Sequence, residues 1–166
     1  MKLSLLAKKD SIKNDFWVDE LSSKSFGIYI SWSEIDFATE KFYWRIVGLN
    51  NEYLLSFDIT GGMICALESM IAPDPVIINN NYSYDIESNI KGIPVFGLIP
   101  NTNAKFILHE NGFIDVKNDF IYEKYINCSR FTWGVCSFYF KINEYISVEF
   151  SSDFSFVGFS IFEKSK

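Results

Sequence analysis

The chain carries a single histidine, His109, and three cysteines, Cys65, Cys128 and Cys136, among 166 residues. A protein-built metal site needs several imidazole or thiolate ligands at short spacing, and no two cysteines here form a C-x-x-C pair. The reading is therefore no metal and no cofactor. Cysteine nucleophiles need a base beside the thiol, and His109 is the sole candidate. It stands next to an Asn111-Gly112 turn signal, so an exposed turn position accounts for it. Also missing are a G-x-S-x-G elbow, a P-loop and a dinucleotide fingerprint. The sequence reads as that of a protein that is not an enzyme.

Long apolar runs are absent too. Met1-Lys-Leu-Ser-Leu-Leu-Ala7 resembles the start of a signal peptide but is cut short at Lys8-Lys9. Nothing approaches the roughly 20 apolar residues of a membrane helix, so no membrane partner is expected. Without an export signal, the odd number of cysteines reads as reduced thiols in a cytoplasmic protein. The sequons at Asn81-Tyr82-Ser83 and Asn127-Cys128-Ser129 then have no use.

Positive charge is in short supply: 15 Lys and Arg face 21 Asp and Glu, for a net charge of -6. Residues 1–13 carry +3, residues 14–71 carry -6 and the remainder carries -3. This balance argues against nucleic acid as a partner, because phosphate neutralisation needs clustered Lys and Arg. The acidic excess gathers in Asp15, Asp19, Glu20, Glu34, Asp36 and Glu40. A basic protein suits that surface.

Aromatic residues are plentiful, with 17 Phe, 9 Tyr and 4 Trp. Flat rings pack well on a pleated surface, which favours strands. Tyr53-Leu-Leu-Ser-Phe-Asp-Ile-Thr-Gly-Gly-Met-Ile-Cys-Ala-Leu-Glu68 reads as two strands around a Gly61-Gly62 turn. Tyr53, Leu55, Phe57 and Ile59 share one face, with Ser56 and Asp58 on the other. Phe26, Ile28, Ile30 and Trp32 alternate, as do Phe42, Trp44 and Ile46. Core packing is expected for Trp32 and Trp44. Phe106–Leu108 and Phe113–Val116 flank the Asn-Gly signal as a hairpin. Cys136, Phe138, Phe140 and Ile142 form one face of a strand, followed by Tyr145–Phe150 and Phe154–Phe162 in a meander.

Helical signals are few. Ser11 as a cap, with Ile12, Phe16 and Val18–Leu21 on a ragged apolar side, predicts a short helix over 10–22. Ser33 followed by Asp36 predicts a helical turn over 33–41. Phe120–Ile126 fits strand or helix equally. All four prolines (Pro73, Pro75, Pro94, Pro100) fall in residues 72–104, where a Pro/Asn-rich irregular connection is expected, with a short strand at Val76–Ile78. Its apolar residues want burial, so residues 1–166 read as one domain. The predicted fold class is α+β: a mainly antiparallel twisted sheet of about eight to ten strands in hairpins and meanders. One to three short helices accompany it.

Two readings of the acids compete. Asp19 with Glu20, or Glu34 with Asp36, would serve glycoside chemistry if they faced each other at a suitable separation. Their polar surroundings offer nothing to raise one pKa. Alternatively, the acids present a docking face: aromatic anchors Trp17, Phe37 and Tyr43 supply affinity, and charges supply on-rate and specificity. Trp17, Trp32, Trp44 and Trp133 would instead suit sugar stacking in a β-sandwich or barrel that binds a glycan or small apolar ligand.

Phe57-Asp58-x-x-Gly61-x-x-Ile64, within its strand–turn–strand, resembles a pattern in small bacterial immunity proteins of polymorphic-toxin and contact-dependent growth inhibition systems. Phe156-Val-Gly-Phe-Ser-Ile161 is similar to the last strand of some of them. The resemblance is confined to these two segments and leaves out residues 72–104. It implies a cytoplasmic, non-enzymatic, toxin–antitoxin type of protein that binds and occludes one cognate toxin domain, commonly a basic C-terminal nuclease. No functional residue carries over by motif. The toxin-binding set Asp15, Trp17, Asp19, Glu20, Glu34, Asp36, Phe37, Glu40 and Tyr43 rests on charge and aromatic placement alone.

Overall fold

The computed structural model describes residues 3–10, 13–22, 25–32, 40–48, 51–58, 62–72, 74, 76–78, 89–97, 106–108, 116–122 and 126–164. These residues form fifteen strands. The first nine are β1 (Leu5–Lys9), β2 (Asn14–Ser22), β3 (Ser25–Trp32), β4 (Lys41–Val47), β5 (Glu52–Asp58), β6 (Ile64–Ile71), β7 (Val76–Ile78), β8 (Asn89–Ile90) and β9 (Ile93–Phe96). They continue as β10 (Phe106–Leu108), β11 (Lys117–Tyr122), β12 (Ile126–Thr132), β13 (Phe138–Lys141), β14 (Ile146–Phe150) and β15 (Phe156–Lys164). A six-stranded sheet runs β10-β4-β5-β6-β3-β2, and a seven-stranded sheet runs β7-β11-β12-β15-β14-β13-β8. A third, two-stranded ribbon pairs β1 with β9.

The molecule is all-β, and this corrects the α+β expectation: most of the described residues are strand and none is helical. The predicted helix over 10–22 is instead β2, paired antiparallel with β3 from Asn14↔Trp32 to Ser22↔Ser25. Asp15, Trp17 and Asp19 share one exposed face of the strand, and β3 offers an edge to pair with. Phe120 lies in β11 and Ile126 opens β12. The fifteen strands also exceed the eight to ten expected: β2 stands where a helix was predicted, and residues 72–104 add β8 and β9 to the expected strand at Val76–Ile78. Residues 33–39 of the predicted helical turn over 33–41 lie outside the described residues, and Lys41 already belongs to β4.

Both large sheets turn apolar faces toward one core. From the first come Ile28, Ile30, Trp32, Phe42, Trp44, Ile46, Tyr53, Leu55, Phe57 and Leu67; from the second come Phe131, Phe138, Phe140, Ile146, Val148, Phe150, Phe156 and Phe159. Rings meet across the interface: Tyr53 lies edge-on to Phe131 and Phe159, and Trp44 packs on Trp133 and Phe156. Burying an aromatic or aliphatic side chain contributes roughly 1.5–3 kcal/mol, so this cluster is the main source of stability. Two indole N–H groups reach backbone carbonyls distant in the chain. Trp32 Nε1 donates to the Ile64 carbonyl at 2.8 Å and Trp133 Nε1 to that of Phe156 at 3.0 Å.

Turn chemistry follows the sequence at two places. Gly62 has φ +64°, and a Cβ there would stand 2.6 Å from the Phe96 carbonyl, so only glycine fits. Asn143 Oδ1 accepts from the N–H groups of Tyr145 and Ile146, closing the β13–β14 turn. Elsewhere pairing is less local. β10 lies parallel to β4, Phe106 opposite Tyr43, while the Asn111-Gly112 turn and residues 113–115 of its expected hairpin partner lie outside the described residues. The ribbon joins the sandwich through Leu3, whose carbonyl accepts from Phe156 N–H, and through Phe96, whose N–H donates to the Gly62 carbonyl.

Candidate functional site

Strand alternation puts Asp15, Trp17 and Asp19 together on the solvent side of β2, all exposed. Trp17 stands opposite Tyr29 on β3, and their rings stack with centroids 5.4 Å apart at 19°. Tyr29 also folds over Gly27: a Cβ on Gly27 would come within 2.6 Å of the Tyr29 hydroxyl. The absent side chain therefore lets the ring lie flat and carries its hydroxyl toward the next register row. That row runs Asp19, Gly27, Glu68, Leu54 and Arg45 across five strands. Burial first, then the charges of Glu68 and Asp19, raise the Tyr29 pKa above its usual value.

The neighbouring row runs Trp17, Tyr29, Ala66, Ser56 and Tyr43. Tyr43 thus shares the face with Trp17 but lies four strand spacings away, roughly 19 Å at about 4.8 Å each. Arg45 is paired with Glu52 on the same face. Trp17 is 41% exposed, unusual for so large a ring. The result is a stacked aromatic pair bordered by carboxylates, with no cation paired to Asp15, Asp19 or Glu68 among the described residues.

Of the predicted binding residues, the fold brings together Asp15, Trp17 and Asp19. Glu40 is exposed immediately ahead of β4, near Tyr43 in the chain. Glu20 occupies the β2 position opposite Phe26. The side chain of Glu20 lies outside the described part of the structure, and with it the Asp19–Glu20 glycoside pairing. Glu34, Asp36 and Phe37 lie outside the described residues, as does His109. Sequence reasoning missed Tyr29 and Glu68. Their signal was present in the polar positions of the alternating stretches 26–32 and 64–71.

The outward side of the second sheet holds a different arrangement. Glu149 is fully buried there; Arg130 Nε donates to its two carboxylate oxygens at 2.8 and 3.1 Å, and Nη2 to Oε2 at 2.7 Å. Ser160 Oγ donates to Oε1 at 2.9 Å. Burial, then the Glu149 charge, pushes the Cys136 thiol up to about 12, which keeps it protonated and unreactive as a nucleophile. Cys65 is raised as well, chiefly by burial. All three cysteines are free. Among the described residues, no three His, Cys, Asp or Glu side chains gather to hold a metal ion.

One cavity of about 470 Å³ opens beside β1, lined by Leu5, Leu6, Ala7, Lys8, Ile90, Phe140 and Phe154. It contains neither Trp nor Tyr, unlike the sugar platform considered above. Phe154 has φ +63°, a left-handed conformation that costs a non-glycine residue roughly 1–2 kcal/mol. The turn holds it there: Phe154 N–H donates to Ser151 at 2.9 Å, and its carbonyl accepts from Leu5 N–H at 2.8 Å.

The fold and these surfaces define an all-β sandwich protein with a charged aromatic face and an apolar groove. No protein-family model and no curated protein sequence matches the chain. No helix among the described residues is long and apolar enough to cross a membrane.

Proposed function

We propose that this protein acts by binding another protein, as an immunity protein that occludes a basic toxin domain. The observation that carries the reading is the exposed Trp17–Tyr29 stack with Asp15, Asp19 and Glu68 around it. A ring pair already stacked loses little side-chain freedom on docking, which favours it as an anchor. The surrounding carboxylates attract Lys and Arg over distance and pair with them on contact. A rigid sheet presents both, so the partner meets a preformed surface. Inhibition is steric: the bound face covers the basic groove through which a nuclease-like toxin would hold its substrate.

The test uses the tagged chain as bait in lysate of its source cells, beside Trp17→Ala and the double variant Asp15→Lys, Asp19→Lys. All three substitutions fall on exposed positions and should leave the fold intact. A stoichiometric basic partner should bind the wild type and be released by salt. Purified, it should bind the variants about tenfold or more weakly, with a flattened salt dependence for the charge reversal. Equal affinity for all three proteins would remove this face from the account.

A further inference from the structure

We propose that the groove beside β1 is a binding site for a monomeric fatty-acid-like anion, whose chain lies on the apolar lining and whose carboxylate meets Lys8. This goes beyond protein binding and uses another part of the molecule. The cavity, at about 470 Å³, is in the size range of small-molecule sites. At about 30 Å³ per water-sized group it takes on the order of fifteen heavy atoms, the size of a dodecanoate. Leu5, Leu6, Ala7, Ile90, Phe140 and Phe154 offer no side-chain polar atom, so a ligand body carrying polar groups would lose their hydration without replacement. An unsubstituted acyl chain loses nothing.

Charge selects the head group. Lys8 is the one charged side chain of the lining, and no acid pairs with it among the described residues. Lys9 and Lys91 flank Lys8 and Ile90 in the chain, and both are exposed. The nearest acid in sequence to Phe154 is Asp153, and its carboxylate is taken by the turn, accepting from Ser151 Oγ and Ser155 N–H. Asp10, also exposed, follows Lys9, so the described charges in these segments are three lysines against Asp10 and Asp153, on a chain of net charge -6.

Phe154 supplies the second, independent observation. A left-handed turn position would be filled without strain by glycine, yet it carries a large ring, 53% exposed, that forms one wall of the groove. Its ring sits edge-on to Phe138 at 5.6 Å, which holds the wall upright. Leu6, 73% exposed, also lines the groove. A bound chain would cover both.

The experiment is calorimetric titration of dodecanoate, below its micelle concentration, into the full chain. Dodecyltrimethylammonium serves as the cationic control, and phosphatidylglycerol vesicles are tested by co-sedimentation. One saturable site for dodecanoate is expected, about tenfold or more tighter than for the cation. Lys8→Glu and Phe154→Gly should each weaken it about tenfold. Phe154→Gly should leave the melting temperature unchanged or raised, because glycine adopts the turn freely. Absence of saturable binding, equal affinity for both amphiphiles, or indifference to both variants would overturn the proposal. So would vesicle binding without dodecanoate binding, which would assign the patch to a membrane surface.

Discussion

Glu149 is a carboxylate with no exposure, standing on the side of β14 that alternation assigns to solvent. Its charge is tolerated because Arg130 and Ser160 satisfy both oxygens. Removing one member of such a pair leaves a buried charge with no compensation, which costs more than removing both. Arg130→Met should therefore destabilise the fold by about 3–5 kcal/mol, and adding Glu149→Leu should recover most of that loss. Urea unfolding of the two single variants and the double one measures the coupling; additive losses would show that the pair does not act as a unit. The alternation of Ser147 and Glu149 against Ile146, Val148 and Phe150 was legible in the sequence. The burial of Glu149 was not, because Arg130, 19 positions earlier, reaches it only after β12, β15 and β14 have paired.

At the scale of elements, β2 shows where local pattern fails. Phe16 and Val18 to Leu21 satisfy a ragged helical side, and Asp15, Trp17 and Asp19 satisfy an alternating one. Over so short a stretch the two periods are close to a tie, and isolated short helices are marginal in water. Pairing with β3 decides it, and with it the site, since only a strand places Asp15, Trp17 and Asp19 side by side. The β1–β9 ribbon shows the same dependence at the chain's start. Leu3 is 1% exposed and Leu6 73%, although both belong to one apolar stretch. Leu3→Ala should cost about 2–5 kcal/mol, as for other large-to-small core changes. Leu6→Ala should stay within about 0.5 kcal/mol. Chemical denaturation of both separates a docked ribbon from a loose tail, for which the two costs would be alike.

The whole molecule has a predictable response to alkali. Cys65, Cys136, Tyr29, Tyr53 and Tyr139 all have raised pKa values, each chiefly through burial. These groups are neutral when protonated, so the native chain holds protons that the unfolded chain releases. For Cys136 this stabilisation is complete below its ordinary value of 9.0 and is lost as pH rises to about 12. The urea midpoint should be level below about pH 8 and fall from about pH 9 upward. Cys136→Ala should make the decline shallower. A midpoint that rises with alkali, or a slope unchanged in the variant, would contradict the assignment.

By itself the sequence determined the inward faces, including Trp32, Trp44 and the Tyr53–Phe57 series, together with the glycine turn after β5. These follow from the geometry of one chain segment: successive strand residues alternate, and certain backbone angles admit only certain residues. Tertiary structure alone decided that β2 is a strand, that β10 runs parallel to β4, and that Glu149 is buried while Leu6 and Phe154 frame a groove. Each of those outcomes depends on which distant segment becomes a neighbour. Water is removed, and hydrogen bonds are supplied, by residues far away in the chain.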